Sequence, residues 1–130
     1  MSMSADLRDR LKAAGIASGA VFRDEIPQGT TGGRVRMQVV SDPRPYTLDG
    51  RQAFRETRVQ FDCMAGSRGE ADEIADALID AAEPPATIGG TKFSHSFVDS
   101  QRTYSERDDK SGLTTFVNSL DLMVWHSPAA

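Results

Sequence analysis

From Val39 to Cys63 the chain reads VVSDPRPYTLDGRQAFRETRVQFDC, two strand patterns joined by a turn too long for a plain hairpin. In the second arm Thr57, Val59, Phe61 and Cys63 alternate with Glu56, Arg58, Gln60 and Asp62. Successive side chains of a strand point to opposite faces, so this segment buries one face and leaves the other polar. The first arm, Arg34 to Ser41, repeats the period with Val35, Met37 and Val39. Between the arms, Pro43 and Pro45 fix φ and remove donors, and Asp49-Gly50 favours a tight turn. Residues 42–52 therefore leave the ladder and project as a loop.

The flanking segments supply helices and further strands. Ser4 is placed to cap a short helix with Leu7, Leu11 and Ala14 as its apolar stripe and Gly15 as its stop. Residues 20–26 read as a brief edge strand or an extended connector, ended by Pro27, and Gly29, Gly32 and Gly33 as a flexible loop leading into the next strand. Ser67 and Glu70 form a capping box for a second helix, in which Ala71, Ile74, Ala75, Leu78, Ala81 and Ala82 recur at helical spacing. Asp72, Glu73, Asp76 and Asp80 line its solvent side, and Pro84-Pro85 stop it. Thr91 to Tyr104 places Phe93 and Phe97 on one face. Leu113 to His126 carries Phe116, Leu120, Leu122 and Val124 on one face and Val117, Met123 and Trp125 on the other. Such a strand runs inside the sheet or has one face covered by another subunit.

The order α-β-β-α-β-β predicts one α+β domain over residues 1–130. Its sheet, antiparallel or mixed, has four to five strands, with two helices on one face and long hairpin loops. With the second helix running back along the sheet, the tip at 42–52 and the charged tip at 105–112 (SERDDKSG) point to opposite ends. A compact enzyme has little use for two such arms.

Charge and residue chemistry narrow the function. A net charge of -4 argues against a protein that neutralises nucleic-acid phosphates over a wide surface. The single Cys63 aligns with Val59 and Phe61 and reads as a small buried hydrophobe. Charges at Asp6, Arg8, Asp9 and Arg10 interrupt any signal-like apolar run, so a soluble, unexported protein is expected. His95 and His126 are the only histidines, and Ser94 and Ser96 face away from His95. The Asp72, Asp76 and Asp80 stripe lacks the loop carbonyls of a cation site, and the glycines precede a strand rather than a phosphate-binding helix. No catalytic residue, metal or cofactor is expected. Arg34, Arg36, Arg44, Arg51, Arg55 and Arg58 make the first-hairpin end locally basic; they are either solvated or paired with a neighbour's Asp72, Asp76 and Asp80 stripe or its Asp108-Asp109 tip.

A strand ending QVVSD, then YTLDG, then RETRVQFDC, the helix EADEIADALIDA and the closing SLDLMVWH stand in an order that resembles the tail-completion, or tail-terminator, family of long-tailed bacteriophages. The resemblance runs from about Val21 to His126. Its signature falls on Tyr46, Thr47, Leu48, Asp49 and Gly50, on Arg55 and Val59 to Cys63, and on Leu120 to Trp125. The Pro43 and Pro45 pair and the 105–112 tip depart from the family pattern. The resemblance implies a structural protein of the virion that assembles as a ring, typically a hexamer, on the head-proximal end of the tail tube. There it stops polymerisation and presents the surface for head joining, with partners that are a second copy, the tube protein and a neck protein, and with DNA passing unbound through the lumen. A prophage or gene transfer agent would use the same part. Another neck component, such as a head-completion or adaptor protein, is the rival reading, and a small-molecule-binding ferredoxin-like domain a third. Partner contacts are expected from Tyr46, Leu48, Asp49, Arg51 and Arg55 on the first loop and from Arg107, Asp108, Asp109 and Lys110 on the second tip. Tyr46 and Leu48 either anchor a partner or pack back onto their own sheet.

Overall fold

The computed structural model describes residues 2–27, 30, 32–43, 46–48, 50–51 and 53–129, with backbone alone for Tyr46, Thr47 and Arg51. Its two helices are α1 (Met3–Ala13) and α2 (Arg68–Ala82), and a short 3-10 turn (Ile16–Gly19) follows the first. Its strands are β1 (Val21–Arg23), β2 (Arg34–Ser41), β3 (Tyr46–Thr47), β4 (Gly50–Arg51), β5 (Arg55–Ala65), β6 (Ala86–Ile88), β7 (Thr91–Arg107) and β8 (Thr114–Pro128). One sheet has the order β1-β2-β5-β8-β7-β6, and β3-β4 form a separate pair. β1 runs parallel to β2, and the other neighbours are antiparallel.

The α+β class and the single helical face are as expected, but the main sheet has six strands rather than four to five. Two of its members are three-residue edges, too short to show a period. β1 settles the open choice at residues 20–26 in favour of an edge strand, and β6 was not anticipated after Pro84-Pro85. β8, apolar on both faces, lies between β5 and β7 inside the sheet.

Alternation puts Val35 and Met37 of β2, Val59, Phe61 and Cys63 of β5, and Leu120, Leu122 and Val124 of β8 on the helix-bearing face. They form one core with Leu7 and Leu11 of α1 and Ala71, Ile74, Ala75 and Leu78 of α2. Fully burying a side chain such as Phe61 contributes about 1.5–3 kcal/mol. Burial pushes the Cys63 thiol up to about 12, so this residue is an unreactive part of the packing.

The caps explain the helix limits. α2 starts where the Ser67 hydroxyl accepts from the Glu70 N–H at 3.2 Å. α1 is capped by Ser2, which accepts from the Ala5 N–H at 3.1 Å, and not by Ser4. Ser4 instead lies inside the helix, with its hydroxyl 3.2 Å from Arg23 Nη1. Ala14 is the exposed C-cap rather than part of the stripe, and Gly15, at φ +78, makes the left-handed stop. Arg10 extends over the Phe93 ring, 5.6 Å from its centroid, and donates to the Ala82 and Pro84 carbonyls. α1 thereby satisfies acceptors that the end of α2 leaves open. Buried Asp6 accepts from Thr91 Oγ1 at 2.6 Å beside Gly89, where an added Cβ would stand 2.5 Å from the carboxylate. Gly33 belongs to no loose loop, because its backbone approaches α2 so closely that a Cβ would meet Ile74 Cδ1 at 2.9 Å.

Register fixes the direction of the projections. Arg55 pairs with His126 and Ala65 with Phe116, so β5 and β7 run the same way on either side of β8. The 42–54 segment emerges at the His126 end and the β7–β8 turn at the Phe116 end, as the helix-crossover reasoning predicts. The second tip is narrower than 105–112. Ser105, Glu106 and Arg107 continue the ladder opposite Phe116, Thr115 and Thr114, and the turn occupies 108–113.

Candidate docking arms at the two poles

The root of the first arm is built from three separated stretches of chain. Asp42, directly after β2, accepts from Arg55 Nη2 and from the Thr57 hydroxyl at 2.8 Å. His126 Nε2 lies 2.7 Å from that same hydroxyl. Because the Thr57 hydrogen goes to Asp42, His126 must donate to Thr57 Oγ1, which assigns the Nε2–H tautomer. Carboxylate and imidazole thus meet on the one hydroxyl, the first accepting from it and the second donating to it. Burial, aided by Arg55 and opposed by Asp42, holds the His126 imidazole below its ordinary value of 6.5. Outside this polar lock, Phe54 stacks on Trp125 with centroids 5.4 Å apart.

Beyond the root, β3 and β4 pair Tyr46 with Arg51 and Thr47 with Gly50. Leu48 sits in the turn and is fully exposed, so it does not pack back on its own sheet. Gly50 takes φ +112, a conformation that favours glycine. Of the expected loop contacts, Asp49 lies outside the described residues, as does Arg44, and Tyr46 and Arg51 are placed by backbone only.

The opposite tip is organised by its own backbone. Asp108 N–H donates to the Leu113 carbonyl at 2.9 Å, Gly112 N–H to the Asp108 carbonyl at 2.7 Å, and Lys110 N–H to Asp108 Oδ1 at 2.9 Å. Asp108 thus holds the turn, while Arg107, Asp109 and Lys110 point to solvent. Leu113, exposed beside them, gives this tip an apolar member that the sequence reading passed over because it looked like the start of a strand. At the root, Arg68 of α2 donates to the Val117 and Tyr104 carbonyls at 2.9 and 2.8 Å, its guanidinium 5.5 Å from the Phe116 ring centroid.

Of the arginines expected to make the first-hairpin end basic, those described are largely engaged within the chain, and register carries Arg34, opposite Met64, to the other end of the sheet. Arg36 pairs with Asp62 at 2.6 Å, Arg55 with Asp42, and Arg58 with Asp99 and Asp121. Arg34 donates to the Gly32 carbonyl. Burial alone would raise the Asp62 carboxyl. Hydrogen bonds from Arg36, Gln60 and Ser119, with the charge of Arg36, outweigh it and hold the group below its ordinary value. On α2, Asp72 accepts from Asn118 Nδ2 at 2.9 Å, while Asp76 and Asp80 remain exposed.

His95 is exposed in a bulge of β7. Among the described residues no group of three or more His, Cys, Asp or Glu is placed to hold a metal, and no helix is long and apolar enough to cross a membrane. A depression of about 210 Å³ on the helix-free face is lined by Gln60, Ser100, Gln101, Arg102, Ser119 and Asp121, all polar.

The same fold occurs in a chain of the virion of a native gene transfer agent particle, with a TM-score of 0.66 and 14% sequence identity over 95% of this chain and 95% of that chain. No curated protein matches the sequence. The family model described as tail completion protein gp17 matches residues 5–127. The chain belongs to this tail completion family, whose place is in the structure of phage tails and phage-like particles.

Proposed function

We propose that the protein closes the head-proximal end of a tail tube as a ring of identical copies, ends tube polymerisation and presents the surface to which the head joins. Its role is structural rather than catalytic, and DNA passes through the lumen without specific contacts. The observation that carries this reading is the pair of arms, each pinned at its root and directed to opposite ends of one sheet. A terminator needs one face that matches the last tube ring and another that refuses a further one, and unlike arms at opposite poles give a ring that asymmetry. Tyr46, Leu48, Asp49, Arg51 and Arg55 are assigned to one partner, and Arg107, Asp108, Asp109 and Lys110 to the other. Because Arg55 is engaged with Asp42, its part is to aim the loop.

Deleting the gene and imaging the particles tests the reading. Overlong tubes or headless tails are expected. Tails of normal length beside heads that leak DNA would overturn it in favour of a head-completion or adaptor role.

A further inference from the structure

Among the described residues, seven large apolar side chains are exposed. Leu48 and Leu113 belong to the two arm tips, and Phe54 lies against Trp125. The other four have no such account. Val39 and Val40, 43% and 53% exposed, end β2; Phe97 and Val98, 54% and 37% exposed, lie in β7. These two strands stand on opposite sides of the same sheet, each with only a short outer neighbour.

Neither neighbour reaches these residues. β1 pairs with β2 at Val35, Arg36 and Met37, after which Asp24, at φ +65, turns the chain away. β6 pairs with β7 at Thr91, Lys92 and Phe93, and the Ser96 N–H is taken by the Glu83 carbonyl. No described strand pairs with the outer edge of β2 from Gln38 to Ser41 or with that of β7 from Phe97 to Arg107. Open edges of this kind recruit another strand unless they are blunted; both stretches carry apolar residues and neither lysine nor proline, and each is irregular at one point, between Val39 and Ser41 and between Val98 and Ser100.

The two open stretches lie at the same height. Following the ladder across the sheet, Val39 pairs with Val59, Val59 with Leu122, and Leu122 with Val98. Likewise Ser41 leads through Arg58 and Met123 to Phe97, and Gln38 through Gln60 and Asp121 to Ser100. Val39 and Val98 therefore share the helix-bearing face. Within one chain β2 and β7 run in opposite directions. Copies related by rotation about an axis along the strands keep their directions, so the β2 edge of one copy meets the β7 edge of the next as an antiparallel pair, the more stable ladder type.

We infer that copies of this chain join head to tail by strand pairing, with the Gln38–Ser41 edge of one protomer set against the Phe97–Ser100 edge of its neighbour. This rests on the ring reading above and names the surface that closes the ring. Unlike edges on one molecule make a heterologous contact, which gives a closed ring when the rotation permits. The occupant is a second copy because both halves of the contact match in height, strand direction and apolar character on one chain.

The test places Val39→Cys and Val98→Cys together in the whole protein, assembles particles and treats them with a short bis-maleimide. Buried Cys63 gives the parent protein no accessible thiol. A ladder of covalent multimers is expected from the double variant, and monomer from either single variant. Monomer alone from double-variant particles with normally capped tails would overturn the strand contact while leaving the capping role intact. Should the cysteines block assembly, charge decides: Val98→Lys loses capping, and adding Val39→Glu restores it. Normal capping by Val98→Lys, or no recovery in the charge pair, would also remove the contact.

Discussion

The two poles are held by different physics. At the first, the root of the arm is held by side chains: Asp42, Arg55, Thr57 and His126 meet from three stretches of chain, and Phe54 lies on Trp125. At the second, the ladder runs without a shift from Ser100 and Asp121 to Arg107 and Thr114, and Arg68 adds two bonds to its carbonyls. The difference shows where each arm is vulnerable. A backbone ladder tolerates the loss of one side chain, whereas a lock of four side chains around one hydroxyl does not.

The largest expected effect is therefore at the first root. Thr57→Val removes the hydroxyl that His126 and Asp42 share inside a buried site and should cost about 1–3 kcal/mol. Thermal unfolding measures the loss, and hydrogen exchange should speed up in the 42–54 loop while the β7–β8 turn stays protected. An unchanged melting temperature would mean that the lock contributes nothing. Arg68→Ala, at a half-exposed position, should cost roughly 1 kcal/mol, with faster exchange around Tyr104 and Val117 and none at the first arm. Equal loosening of both arms by either variant would break the comparison.

Acid separates the poles more gently. The folded His126 has its pKa lowered below 6.5, chiefly by burial, so the unfolded chain takes up that proton first. Stability then falls as pH drops below about 6.5 and levels off once the pH is below the folded value. Asp62 behaves in the other sense, since its depressed pKa supplies stability above about 3.9 that is lost as pH falls through its folded value. Exchange near pH 6 should rise at the first root and not at Arg68, and His126→Gln should flatten that response. A response that survives the substitution would assign it to another group. The smallest effect on stability comes from deleting Asp108 to Lys110, which should leave the melting temperature nearly unchanged; a large loss would show that the turn is part of the fold.

Much of this architecture was legible because β5 and α2 obey one period each; β7 does not, and its bulge after Phe93 puts Phe93 and Phe97, expected on one face, on opposite faces. Thr57 to Cys63 alternates without a break, and Ser67 with Glu70 marks the start of α2 before an apolar stripe that ends at Pro84. β6 escaped because three residues after two prolines carry no period. The cap of α1 was misplaced by two residues, since Ser2 and Ser4 offer the same hydroxyl. The opposed tips followed from the topology alone. The lock at the first root did not, because Asp42, Thr57 and His126 are brought together only by register, and a lone strand histidine reads as surface or core. The arginines looked free for the same reason. Their carboxylate partners Asp62, Asp99 and Asp121 lie within the sheet and, for Asp99, in a bulge that no pattern announces.

The central claim is that unlike poles meet unlike partners, and tail length and head attachment, scored in micrographs of particles from two variants, test it most directly. Tyr46→Ala with Leu48→Ala alters one pole; deletion of Asp108 to Lys110 alters the other. Two different defects are expected, one variant giving overlong tubes and the other giving tubes of normal length without heads. The same defect from both variants, or normal headed tails from either, would contradict the account.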